Sequence, residues 1–223
     1  MSQFIEGQIH QLADALQEHG YTPADLTALG QNSNGVLAQV KLVLMGLATI
    51  VRVSLKLVLD KALNPSEFIG QGWAFWKGPA DGNGLEGEES CVQEPDVVDF
   101  ERIILETHLK EGESSIHGEE KMKRAGASKN QQLGAKAFLA LWNDYQVKKA
   151  EGKPGDSVLE RLRKSGKIGT RIYFFGFILR HPGGSRRVLC LFFHGGEWRW
   201  DCLWLGFGWG AGSPSASLAS VIN

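Results

Sequence analysis

Arg187-Val188-Leu189-Cys190-Leu191-Phe192-Phe193-His194-Gly195-Gly196-Glu197-Trp198-Arg199-Trp200-Asp201-Cys202-Leu203-Trp204 is the stretch on which the fold turns. The glycine pair is a two-residue hairpin signal, because the tight turn needs positive φ that glycine adopts without strain. The arm before it is apolar on both faces, as strands are when both sides of their sheet are covered. The arm after it places Trp198, Trp200, Cys202 and Trp204 on one face by the two-residue period. Arg171 to Arg180 is equally apolar, and Pro182-Gly183-Gly184 turns between the two. Residues 171–206 therefore read as a β-meander. Its indoles are expected to face mostly inward, since the apolar strands need covering; stacking against sugars or bases is the competing use of such rings.

Upstream, Val97 to Leu109 reads as one long strand, with Phe100 and Ile104 on one face and Ile103 and Leu105 on the other. Gly118 to Arg124 is expected as a short charged helix begun near Ser115. Gln132 to Lys149 is a longer one, with Leu133, Ala137, Leu141 and Tyr145 on one stripe. Asp156 is placed to cap a further helix through Lys164, which Gly166 ends. Phe68 to Trp76 reads as a short strand, Gly78 to Gly84 as turns, and Glu86 to Glu94 as a solvated acidic stretch.

The first 63 residues read as three helices. Phe4, Ile5, Ile9, Leu12, Ala13 and Leu16 recur at helical spacing, with Gly20 as the closing residue. Thr22-Pro23-Ala24-Asp25 is a start signal combining a capping hydroxyl, a proline at the first helical position and an acid at the positive dipole end. Gly30 stops that helix. Ser33 or Asn34 caps a long one from Val36 to Leu63, ahead of Asn64-Pro65. The reading is an α+β protein: a helical segment 1–63, a Gly/acidic loop region 64–96, and an α+β domain 97–223 whose antiparallel sheet includes the meander. Gly206 to Asn223 reads as a small, polar tail.

At 223 residues with a formal charge of −1, the chain is long enough to bury a core without staples. Cys91, Cys190 and Cys202 are too far apart for a disulfide scaffold or a four-cysteine zinc site. Met1 to His19 has no cationic start leading into an apolar run. The longest uncharged apolar run, Leu42 to Val51, is far short of the roughly 20 residues that span a bilayer. The expectation is no membrane insertion and a cytoplasmic setting.

Three stretches carry a resemblance. They are Gly72-Trp73-Ala74-Phe75-Trp76-Lys77-Gly78-Pro79-Ala80-Asp81-Gly82-Asn83-Gly84-Leu85, then Ile116-His117-Gly118-Glu119-Glu120, then Pro182 to Leu191 continuing into Trp198-Arg199-Trp200 and Trp204-Leu205. Together, over about residues 64–220, they resemble a loose group of uncharacterised bacterial proteins with a Trp-rich C-terminal strand module. The resemblance implies a bacterial source and brings no activity with it. After Trp142 the chain departs from the group, with a longer and more basic linker.

Catalytic motifs are incomplete. His117-Gly118-Glu119 matches half of a zinc-deaminase signature but has no Pro-Cys-x-x-Cys partner; the acids suit a helix start instead. Asp81-Gly82-Asn83-Gly84 opens like a calcium loop, then places Leu85 and Glu86 where an oxygen ligand and a glycine are needed. Gly70-Gln71-Gly72 and Gly206-Phe207-Gly208-Trp209-Gly210 lack the rest of a phosphate-binding loop. Cys190 sits in the most apolar strand, which raises a thiol pKa. No cofactor and no metal site is expected, and the chain does not read as an enzyme. The residual enzymatic reading, of hydrolase type, places a site near His181, His194 and Asp201.

Charge is unevenly spread. Asn64 to Glu120 holds 14 acids and 3 bases; Lys121 to Arg187 holds 16 bases and 4 acids. Lys148, Lys149, Lys153, Arg161, Arg163, Lys164, Lys167 and Arg171 are candidates for a phosphate-facing patch. Pairing between the acidic and basic stretches, within one chain or between copies, is the other explanation. Trp73, Trp76 and Trp209, in turn-rich segments, are expected to be partly exposed and available for binding. The function expected is a non-enzymatic protein-interaction module, by a protein partner or self-association. The alternative is nucleic-acid binding through the basic 148–187 stretch.

Overall fold

A computed structural model describes residues 6–31, 36–46, 54–77 and 92–220. The chain divides into two units, Met1–Val53 and Ser54–Asn223. In the first, α1 (Glu6–Glu18) is followed by Gly20 at φ +81, and α2 (Pro23–Gly30) is opened by a reciprocal capping box between Thr22 and Asp25. The third helix, α3 (Val36–Leu44), is shorter than the sequence reading. Gly46, at φ +70, follows it, and Lys56–Val58 is a strand, β1, of the second unit. Leu55, Leu57 and Leu59 alternate with Ser54, Lys56 and Val58, and this two-residue period overrides the helical spacing of Leu55, Leu59 and Leu63. Ser33 and Asn34, the proposed caps, lie outside the described residues.

The second unit is α+β, built on a mixed, mostly antiparallel sheet. Its strand order is β2 (Ala74–Phe75), β8 (Leu179–Arg180), β9 (Arg186–His194), β7 (Arg171–Tyr173), β12 (Ser215–Leu218) and β4 (Ile103–Glu106). β10 (Glu197–Trp204) pairs with β9, and β6 (Gln131–Gln132) with β12. Among the described residues, only the β12–β7 pairing is parallel. Two small sheets stand apart: β1 with β3 (Val97–Asp99), and β5 (Ser115–His117) with β11 (Gly208–Gly210). The hairpin turn forms at the glycine pair, with Gly195 and Gly196 at φ +61 and +86.

Alternate residues of β9 serve two cores. Leu189 and Leu191 join the larger, beneath α6 (Ala135–Ala150) and α7 (Val158–Lys164). Val188 and Cys190 join a smaller one with Tyr173, Phe175 and Trp209, which also takes Ala125 of α5 (Gly118–Gly126). Coverage of both faces is why the strand is apolar throughout.

Four further sequence expectations need correction. Val97 to Leu109 is two strands, because the Asp99 carboxylate accepts the Glu101 N–H and bends Phe100–Arg102 into a 3-10 turn. The turn resets the alternation, so Phe100 and Ile103 share the larger core. Phe68 to Trp76 is not one strand: α4 (Pro65–Phe68), capped by Asn64, precedes the short β2. Ser215–Leu218, read as part of a polar tail, is a fully buried strand inside the sheet. Trp76 and Trp209, expected to be partly exposed, are 6% and 1% exposed. The Trp209 indole donates to the Leu205 carbonyl at 3.0 Å and lies edge-on to Tyr173 and Phe175. The Trp76 backbone N–H joins Ile178, and the Arg186 guanidinium covers its ring.

The meander indoles form a gradient. Trp198 is buried, Trp200 is half-buried against Phe68, and Trp204 is exposed beside Phe207. The Trp198 indole donates to Glu160 at 2.8 Å. Burial pushes the Glu160 carboxyl up, but hydrogen bonds from Arg163 and Trp198 outweigh it and hold the group below its ordinary value.

The core helix α6 is capped from a distance. Its N-cap residue, Gly134, brings no side chain. The Glu94 carboxylate accepts N–H groups from Gly134 and Lys136 at 2.8 Å and Ala137 at 3.1 Å. This negative charge satisfies three orphan donors at the positive end of the dipole. Burial raises the Glu94 pKa, opposed by those three donors. Glu94→Ala is expected to destabilise the protein by about 1–2 kcal/mol. Urea unfolding measures this, and unchanged stability would show that the helix does not use the contact.

Candidate functional site: an aromatic and cationic cleft at Trp73

The Asn64 side chain accepts the Ser66 N–H and starts α4, and the chain then turns through Gly70 and Gly72. Gly72 is at φ +85, and a Cβ there would meet the Pro182 ring at 3.1 Å. That close approach lays the segment on the β8–β9 turn and sets Trp73 edge-on to His181, ring centroids 4.9 Å apart. β2 then pairs Ala74 with Arg180 and Phe75 with Leu179. The pairing brings together two cations distant in sequence, Lys77 and Arg180.

The result is a cleft of about 410 Å³, lined by Asn64, Pro65, Trp73, Phe75, Lys77 and Arg180. Trp73 is half-buried, while Lys77 and Arg180 are exposed. Among the described residues, no ion pair engages either cation. The volume suits one or two side chains, within the range of ligand clefts. A flat apolar ring beside a guanidinium fork and an ammonium suits a carboxylate carried next to an aromatic or aliphatic group.

The basic stretch is arranged differently. Lys148 pairs with Glu151, Lys149 with Glu197, Arg161 with Asp156, and Arg163 with Glu160. Lys167 donates to the Glu101 carbonyl. Arg171 donates to the Tyr173 hydroxyl at 3.3 Å and lies over the Phe192 ring. Lys153 and Lys164 are exposed. Elsewhere Arg186 pairs with Glu119, and Arg124 with Glu113 and Glu120. The sequence offered this group as a candidate phosphate-facing patch, with pairing inside the protein as the other explanation; six of its eight cations are engaged by the protein itself.

His181, His194 and Asp201 do not converge. His181 bonds to Ser185 at the start of β9, and His194 ends that strand. The separation is roughly 26 Å at about 3.3 Å per residue. Asp201 faces Cys190 midway. Burial pushes the Cys190 thiol up to about 12, which suits a structural residue rather than a nucleophile. His117 accepts the Glu119 N–H at the start of α5, so the half-motif serves as a helix cap. No group of three His, Cys, Asp or Glu side chains among the described residues is placed to hold a metal ion. The Asp81 loop and Cys91 lie outside the described residues.

A polar cluster beneath α5 escaped the sequence reading. Register places Glu106, Ser215 and Tyr173 in one row across β4, β12 and β7. Lys121, fully buried, donates to the Thr107 and Ser213 carbonyls. Ser215 and Ser217 are also fully buried. The arrangement stitches α5 to the sheet. No signal short of the sheet register places these residues together.

No known protein family, curated protein or solved structure matches the chain. No helix among the described residues is long and apolar enough to cross a membrane.

Proposed function

We propose that the chain is a non-enzymatic protein-interaction module, and that the Trp73 cleft docks an acidic segment of a partner protein. The observation that carries this is an accessible indole beside two cations that have no ion pair among the described residues, where Trp76, Trp198, Trp209 and most of the basic stretch are tied into the protein. Two cations in a cleft of this size suit one or two carboxylates. They are few for tracking a phosphate backbone, which draws its affinity from many contacts.

The test is calorimetric titration with a short glutamate-rich peptide carrying one phenylalanine, at low salt. Binding that weakens about tenfold or more in Trp73→Ala, and likewise in the Lys77→Glu/Arg180→Glu double variant, supports the reading, since buried Trp and Arg anchors dominate such interfaces. Equal binding by the variants, or none by the wild type, overturns it. Tighter binding of a single-stranded oligonucleotide, with a steep salt dependence, would assign the cleft to nucleic acid instead.

A further inference from the structure

A second cleft is lined by residues just before Asn64 in the chain. It has a volume of about 330 Å³ and runs between β1 and α6, with Val58, Lys61, Lys136, Ala140 and Val147 among its walls. Val58 and Val147 are 60% and 54% exposed, so part of the wall that meets water is apolar. Lys61 and Lys136 have no ion pair among the described residues. The cleft's other charges are Asp60, Lys148 and Asp144; Lys148 pairs with Glu151, and Asp144 accepts the Val158 N–H at 2.7 Å.

Among the described residues, the outer edge of β1 pairs with no other strand. The Leu59 N–H donates to Asp96 and the Phe100 N–H to Leu55, so the odd-numbered residues of this segment bond to β3. By the antiparallel alternation, Lys56 and Val58 then turn their backbone groups away from β3. The Lys56 N–H is taken by Ser54. Among the described residues the β1–β3 pair has two strands, an arrangement that gains from a third.

We infer that an extended acidic segment adds as a strand to the outer edge of β1, its backbone bonded at Val58 and its carboxylates held by Lys61 and Lys136. This is recognition by strand addition: main-chain bonds supply affinity, and alternate side chains supply selectivity. The inference rests on the proposed function and extends it. Asp60 and Lys61 line this cleft and Asn64 and Pro65 line the other. Lys61 and Asn64 can be no more than about 11 Å apart along the chain, so one partner segment reaches both clefts. Joining the two contacts makes the second nearly intramolecular and multiplies affinity.

The probe is a peptide of alternating glutamate and valine, about eight residues long, without an aromatic residue. Amide exchange on the wild type is expected to slow at least tenfold at Val58 when this peptide is present. Val58→Pro removes the outward N–H and leaves the β3 ladder intact, and is expected to weaken the peptide about tenfold. Lys61→Glu/Lys136→Glu should do the same. Both variants leave binding of the phenylalanine-containing peptide at Trp73 unchanged. Unaltered exchange at Val58 overturns strand addition even if Val58→Pro fails to fold, and it does so while the Trp73 titration still stands. Concentration-dependent dimerisation that protects the same amide in the absence of peptide overturns the acidic partner in favour of a second copy.

Discussion

Gly118→Ala is expected to destabilise the protein by about 3 kcal/mol or more, the penalty of forcing a methyl into a filled interior. Gly118 is the first residue of α5 and is fully packed. A Cβ there would fall 1.9 Å from the Leu205 carbonyl oxygen and 2.8 Å from the Trp209 indole nitrogen. Those two atoms are hydrogen-bonded to each other, so the methyl enters the bond itself. Neither can retreat easily. The Leu205 N–H is held by Arg186, and the Trp209 ring is wedged between Tyr173 and Phe175 at 4.9 Å on each side. Relief therefore requires α5 to move, straining the Arg186–Glu119 ion pair and the Lys121 contacts with it. Gly126→Ala, at the far end of the same helix, is the control. Its Cβ would meet nothing within 4 Å, so it should gain up to about 1 kcal/mol from helix propensity. Paired urea titrations of the two variants decide the matter. Equal stability of Gly118→Ala and the wild type would mean that α5 is not seated against Leu205.

The elements legible in the sequence are those whose signal is local. Gly195-Gly196 gives its hairpin because positive φ is a property of the turn alone, and Thr22 with Asp25 gives its capping box for the same reason. What depends on distant partners was not legible. β12 reads as Ser-Ala-Ser-Leu, without the bulky alternation of a core strand; it is buried because β4 and β7 flank it and its Ala216 and Leu218 join the larger core. Glu94 reads as one more solvated acid, and only the arrangement of the fold carries it to the start of α6. The bare Gly134 at that start was the available hint, a core helix with no cap of its own. In the candidate site, Trp73 was legible as an indole in a turn-rich segment. Arg180 was not, because its nearness to Lys77 exists only through the β2–β8 pairing. Trp76 and Trp209 share the composition of Trp73's surroundings but find filled pockets, a difference that residue type does not encode.

Lys121→Met is expected to change how stability depends on pH. In the wild type the ammonium is 0% exposed, held by the carbonyls of Thr107 and Ser213 at 3.0 and 2.9 Å, with the Phe175 ring 5.0 Å away. Burial pushes its pKa from 10.5 down to about 8, only partly opposed by the attraction of Glu106. Between pH 8 and 10.5 the unfolded chain thus holds a proton that the folded protein has released. Stability rises with pH wherever the unfolded state binds more protons, so this lysine adds about 3 kcal/mol across that window and nothing further below it. Below pH 8 the folded protein carries the cost of a buried cation, partly offset by charge-assisted bonds to the two carbonyls. Methionine keeps the shape, removes the titration and leaves both carbonyls without a donor. Near neutral pH the two effects oppose each other; near pH 10.5 only the lost hydrogen bonds remain. The gap between wild type and variant should therefore widen by about 3 kcal/mol from about pH 7.5 to about pH 10.5, read by urea unfolding at matched ionic strength. Cys190 and Tyr173, whose pKa values burial also raises, titrate in both proteins and cancel in the difference. His108 sits below its usual value because of burial and the neighbouring Lys121 charge, so it stays outside the window. A gap that stays constant across the range would mean that the Lys121 amine reaches water in solution and that α5 does not seal the face of the sheet.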